Sequence, residues 1–170
     1  IPTPTLGYIH PGDGLVLLAG ILLGPLCGGF AAGLGSALSD LFAGYFIYVP
    51  ATAVIKALTA ITASVITRSF SSVFHGSGDS VAASKNSAHI LAVMLGGLVG
   101  EIIMIAGYFV FEIFLLGFSA GADSISASLS AGIVASAVGV PFNAVQGIFG
   151  IIIACVLHPV LYRIIRSVQD

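Results

Sequence analysis

The feature that most restricts this chain is the run from Gly14 to Tyr48, in which nearly every residue is apolar or small. A helix crosses a bilayer with about 20 such residues, so one crossing cannot absorb the run. It must break, and Gly24-Pro25 is the natural place, because proline removes a backbone donor and disfavours helix just before it. The spacing predicts a short helix near 13–24 and a fuller one near 26–46. At 1.5 Å per residue the first covers only about 18 Å, less than a hydrocarbon core of about 30 Å. Protein must shield it, or it must meet water partway.

Composition places the rest in the same solvent. Of 170 residues, 58% are hydrophobic and 7% charged, with a mean hydropathy of +1.14. A soluble domain carries about 25% charged residues, so this chain could not cover a water-facing surface. Two cysteines, a net charge of −2 and no basic stretch exclude a disulfide scaffold and a nucleic-acid binder. The expected fold is an all-α membrane protein, a compact bundle of six transmembrane helices forming a single substrate-binding domain over 1–170. Five helices fall within the chain, and the first is expected upstream of Ile1, with no signal peptide in view.

The remaining helices are read at 50–68, 88–117 and 141–165, with Pro50 in the favoured first turn. Residues 1–12 read as an outer loop and 69–87 as a polar loop; a weak helix is compatible with 124–138. Arg68 and Lys85 flank one loop, and Arg163 and Arg166 end the chain. The positive-inside rule puts that loop and the C-terminus in the cytoplasm and residues 1–12 outside. Glycines four apart (Gly20, Gly24 and Gly28; Gly29 and Gly33; Gly96 and Gly100) suit closely packed membrane helices and say nothing about cargo.

Polar groups at membrane depth are the default functional candidates. The topology places Asp40, Tyr45, Tyr48, Lys56, Tyr108, Glu112, Asn143 and Gln146 in the outer half of their helices, with His10 and Asp13 at the outer loop's junction. Glu101, Tyr108 and Glu112 share one helical stripe; Asn143, Gln146, Gly147 and Gly150 share another. Lys56 calls for an acceptor such as Glu112 or Asp40, or for an acidic or hydrogen-bonding ligand, or else snorkels to the outer surface. Asp13 reads equally as a helix N-cap, and Asp40 as a structural cap or pair. Asn143 and Gln146 offer amide donors and acceptors to a neutral polar heterocycle. His158 reads as interfacial, and His75 and His89 as part of the inner loop. Glu101 reads as a structural partner or a coupling element.

No HExxH, GxSxG, Walker loop or Cys/His metal spacing occurs. No catalytic residue, metal or cofactor is expected, although a small intramembrane enzyme using Glu112 with Lys56 or Asp40 is the rival from another class. A purely structural bundle is a third reading.

The stretch from Tyr8-Ile-His-Pro-Gly-Asp13 to Gly24-Pro25, then Gly35-Ser-Ala-Leu-Ser-Asp40, Gly44-Tyr45 and Tyr48 to Lys56, resembles the substrate-binding S components of energy-coupling factor (ECF) vitamin transporters. Gly107-Tyr108-Phe-Val-Phe-Glu112 and Pro141-Phe-Asn143-Ala-Val-Gln146-Gly147 extend the likeness over nearly the whole chain. The resemblance implies a prokaryotic plasma-membrane protein that binds a small water-soluble vitamin near the outer face. It also implies as partners a transmembrane coupling subunit and two ATPase subunits, which hydrolyse the ATP. The loop over 1–12 would close the site as a lid, and residues 117–139 would contribute.

Within that family the sequence looks closest to members for hydroxymethylpyrimidine or pyridoxine-like compounds. Tyr45, Tyr48 and Tyr108 would stack or hydrogen-bond, Asn143 and Gln146 would read ring nitrogen and hydroxyl, and Glu112 would hold a donor. With no Trp and few charges, a large flavin or a charged folate is less natural. Pantothenate, with Lys56 as its carboxylate partner, stays open.

Overall fold

A computed structural model of the chain describes residues 12–75, 82–119, 121 and 124–169. Every regular element among them is helical: α1 (Asp13–Leu23), α2 (Pro25–Ala43), α3 (Val49–His75), α4 (Ala82–Ser119), α5 (Ile125–Ala137) and α6 (Val140–Gln169). Four stretches are long and apolar enough to cross a membrane: Pro25–Ala43, Val49–Ser72, Ala88–Ser119 and Val140–Ile165. Large apolar side chains lie open along the outside, among them Leu26 at 82%, Phe30 at 72% and Phe42 at 84% exposure, a surface that suits lipid or another apolar helix rather than water. The all-α membrane bundle stands.

The break at Gly24 is a reversal. Gly24 takes φ +91°, a conformation that side-chain-bearing residues rarely adopt, and its amide closes on the Gly20 carbonyl. Pro25 then starts α2, which folds back on α1 so closely that a Cβ at Gly28 would lie 2.3 Å from the Ala19 carbonyl oxygen. Gly44, at φ +84°, ends α2 in the left-handed conformation, with its amide turned toward the Asp40 and Leu41 carbonyls.

Helix α3 is the centre of the packing, with α1, α2 and α4 against it. The small-residue spacing serves this helix. A Cβ at Gly20 would lie 2.1 Å from the Ala60 carbonyl oxygen, one at Gly33 2.5 Å from that of Ala53, and one at Gly96 2.6 Å from that of Ala63. With no hydrophobic drive between helices in lipid, such backbone approach supplies the packing energy.

Two boundaries differ from the sequence reading. Helix α3 runs to His75 and α4 begins at Ala82, so much of the expected polar loop at 69–87 is helical. Two of its serines turn hydroxyls onto their own helix: Ser69 Oγ donates to the Val65 carbonyl at 2.9 Å and Ser72 Oγ to that of Ser69 at 2.7 Å. The second difference is α5, a full helix where only a weak one was indicated. It lacks an apolar stripe because it meets α4 through small residues: a Cβ at Gly132 would lie 2.1 Å from the Ile113 carbonyl oxygen. Ser124 caps it, accepting from the Ala127 amide at 3.3 Å. The proposed lid residues before Gly12, and the helix expected before Ile1, lie outside the described residues.

Candidate functional site

Five helix ends meet at one end of the bundle: the starts of α1, α3 and α6 and the finishes of α2 and α4. The polar residues of α3 are Tyr48, just before its first turn, then Thr52 and Lys56, spaced four apart on one face. Those of α4 are Glu101, Tyr108 and Glu112. The two helices run antiparallel, so the stripes pair in reverse order. Tyr48 Oη donates to Glu112 Oε1 at 3.5 Å, a long contact, and Thr52 Oγ1 and Tyr108 Oη share a hydrogen bond at 3.0 Å. The Lys56 ammonium lies 5.3 Å from the centre of the Tyr108 ring.

Tyr48 is buried, with its ring edge-on to Phe111 at 5.3 Å. Burial, followed by the adjacent Glu112 carboxylate, pushes its phenol well above the ordinary value, with smaller contributions from Tyr108 and Asp40. The phenol therefore keeps its proton and donates. From Tyr48 to Lys56 the paired stripes descend two turns, about 12 Å.

At the bottom of this column Lys56 and Asp13 form an ion pair in which neither side chain has any exposure. Gln146 Nε2 donates to the other Asp13 oxygen at 2.7 Å, which ties α6 to α1. This corrects two expectations. Lys56 takes its acceptor from α1 rather than from Glu112 or Asp40. Asp13 is no N-cap either: that position belongs to Gly12, without a side-chain cap bond, and Asp13 turns inward from the first turn. A carboxylate there also faces the positive end of the helix dipole.

Glu101 completes the floor. It is buried, and neither of its oxygens has a hydrogen-bond partner among the described residues. It packs where α6 has no side chains: a Cβ at Gly147 would lie 3.1 Å from Glu101 Oε2, and one at Gly150 3.0 Å from Oε1 and 2.9 Å from the Asp13 Cβ. The glycines of α6 thus make room for two carboxylates from neighbouring helices.

The structure brings Tyr48, Lys56, Tyr108, Glu112 and Gln146 into this one column. Asp40 is buried at the same end and close enough to act on Tyr48. Tyr45 is half-buried in the turn after α2, its amide on the Asp40 carbonyl at 2.8 Å. Asn143 stands half-buried one turn before Gln146, at the rim. His10 lies outside the described residues. Thr52 is absent from the site as read from sequence, and Asp13 is placed there at the same outer level but without a partner. Thr52 carries a signal, four residues from both Tyr48 and Lys56. Asp13 had only the demand of a buried lysine for a carboxylate, which named no partner.

Chemically, the column offers hydroxyl, carboxylate and amide groups beside aromatic faces, over a neutralised ammonium. It suits holding a polar molecule. The Glu112 and Lys56 groups of the rival enzyme reading are engaged apart, one with Tyr48 and the other with Asp13.

Comparison with known proteins bears on what is held. A family model described as "ECF-type riboflavin transporter, S component" matches residues 1–163. A protein of Pyrococcus woesei, described as "Uncharacterized protein in gap 3'region", is 38% identical over 109 residues, which are 64% of this chain and 62% of that protein. The chain thus spans about three fifths of the length of that curated relative. No solved structure matches the chain.

Proposed function

The chain belongs to the ECF-type riboflavin transporter S component family, and from that membership we propose that it is the substrate-capture subunit of an ATP-driven vitamin importer. It takes its ligand at the end of the bundle where Tyr48, Tyr108, Glu112 and Gln146 meet, and that end faces outward. The Arg68 end and the C-terminus face the cytoplasm, as the distribution of lysine and arginine requires. Transport energy comes from a transmembrane coupling subunit and two ATPases.

The observation that carries this reading is the column itself. Four helices and the turn before α3 commit hydrogen-bonding side chains to one place in a membrane protein, where each is costly. A bundle that needed only to pack would fill those positions with apolar residues. The ligand that fits is a neutral planar heterocycle bearing hydroxyl groups, stacked on tyrosine and hydrogen-bonded by Glu112 and Asn143. Riboflavin, named in the family description, meets it, as do hydroxymethylpyrimidine and pyridoxine. Pantothenate fits less well, because Asp13 already neutralises Lys56.

Binding to the purified protein tests this, with riboflavin followed by its own fluorescence and the other three by equilibrium dialysis. Saturable binding of at least one neutral heterocycle, without turnover, supports the reading. Binding of pantothenate alone, or of none of the four, overturns the ligand class.

A further inference from the structure

Glu101 is 2% exposed, lies inside the apolar stretch Ala88–Ser119 of α4, and has no hydrogen-bond partner on either carboxyl oxygen among the described residues. Its surroundings explain why. About one turn to either side on α4 stand Gly97 and Met104, the latter with no exposure. Across from it α6 presents Gly147 and Gly150, so the side chain lies against helical backbone whose amides are committed to their own carbonyls. From α1 comes Asp13, whose Cβ and Glu101 Oε1 flank the point where a Cβ on Gly150 would stand, at 2.9 and 3.0 Å. Asp13 has no donor to offer: its two oxygens accept from Lys56 and from Gln146.

A carboxylate in this place would be a charge without a hydrogen bond in an apolar interior. Such a charge is among the costliest arrangements a protein can hold, and the group sheds it. Asp13 and Lys56 already balance one to one, which leaves no surplus positive charge for Glu101. What neutralises it is a bound cation, either a metal ion or a proton. A metal ion takes several oxygen ligands at once. No group of three or more His, Cys, Asp or Glu side chains able to hold one occurs among the described residues, and both Asp13 oxygens are engaged. A proton needs a single oxygen. We propose that Glu101 is a proton-binding site: in the folded bundle at neutral pH it is a carboxylic acid, and its proton keeps the floor of the column balanced.

The consequence reaches past Glu101. The Asp13 carboxylate that fastens α1, α3 and α6 lies beside it, so release of the proton sets a second negative charge against that fastening. Among the described residues, the charged groups that act on Glu101 from α1 and α3 are Asp13 and Lys56; α6 brings glycine there, and Tyr108 lies two turns along its own helix. Where the proton is lost in alkali, the bundle loosens.

Infrared spectroscopy of the purified protein in detergent at neutral pH reads the proton directly, because the carbonyl stretch of a carboxylic acid stands apart from the bands of a carboxylate. Glu101 and Glu112 are the chain's two glutamates, so isotopic labelling of the glutamate side-chain carboxyl separates their bands from those of aspartate. The parent should show an acid band that moves on labelling; Glu101→Gln should lose it and Glu112→Gln should keep it. No such band in the parent, or one that survives Glu101→Gln, overturns the proposal. Its absence together with a melting temperature that climbs with sodium concentration gives the neutralising charge to a metal ion instead. At the alkaline pH where the band fades, the parent should melt lower than Glu101→Gln, and equal melting there refutes the link to the Asp13 fastening. Should Glu101→Gln fail to fold, labelled Glu112→Gln still decides, because Glu101 is then the glutamate that remains. Neither measurement uses a vitamin, so failure here leaves the ligand site standing, and failure of the ligand site leaves the proton in place.

Discussion

Asp13 and Gln146 stand 133 positions apart in the chain and are joined by a 2.7 Å hydrogen bond inside the bundle. The other Asp13 oxygen holds the Lys56 ammonium. One carboxylate in the first turn of a short helix therefore fastens α1, α3 and α6 together beneath the proposed ligand site.

Removing that carboxylate should be costly. Asp13→Asn leaves a buried ammonium without its counter-charge, expected to cost about 3–5 kcal/mol of stability. Asp13→Asn combined with Lys56→Met removes both charges and should recover much of it. Thermal unfolding in detergent measures both; equal melting temperatures for the single variant and the parent would dismiss the ion pair as a fastening.

Glu101 should behave oppositely. Lys56 pairs with Asp13, whereas Glu101, packed beside Asp13 against Gly150, has no hydrogen-bond partner among the described residues. Glu101→Gln keeps the shape and replaces a buried carboxyl group that no hydrogen bond satisfies, so the melting temperature should hold or rise. A fall of several degrees would show that Glu101 is paired in a way these contacts do not contain.

Ligand binding separates the upper column from its floor. Glu112→Gln and Asn143→Ala should each weaken vitamin binding by about 1–3 kcal/mol, roughly 5- to 150-fold in dissociation constant, with little change in stability. Gln146→Ala should weaken binding and stability together, because it also releases Asp13. Unchanged dissociation constants for all three would refute the site.

Helix packing gives a paired test on glycines. Gly20→Val puts side-chain atoms where a Cβ alone meets the Ala60 carbonyl oxygen at 2.1 Å, whereas a Cβ at Gly35 meets nothing within 4 Å. Gly20→Val should lose more than about 1–3 kcal/mol and elute as aggregate. Gly35→Ala should be neutral or stabilising by up to about 1 kcal/mol. Size-exclusion profiles and melting curves of the two variants read the contrast.

Membrane residence, the four long spans, the reversal at Gly24-Pro25 and the end of the bundle that carries the polar residues were all legible in the sequence. Each follows from local quantities: run length, proline geometry, charge position and helical spacing. The identity of contacts was not. Spacing shows that Lys56 needs an acceptor, but Asp13, Asp40 and Glu112 all supply one at a similar level. The choice of Asp13 came from the register of α1 against α3, which depends on backbone approach at Gly20, where a Cβ would lie 2.1 Å from the Ala60 carbonyl oxygen. Helix α5 reads only as a weak helix within 124–138 for a related reason, since close packing of small residues leaves no apolar stripe to read. Periodicity reports which face of a helix is turned inward; only the packed bundle sets which side chain on a neighbouring helix it meets there.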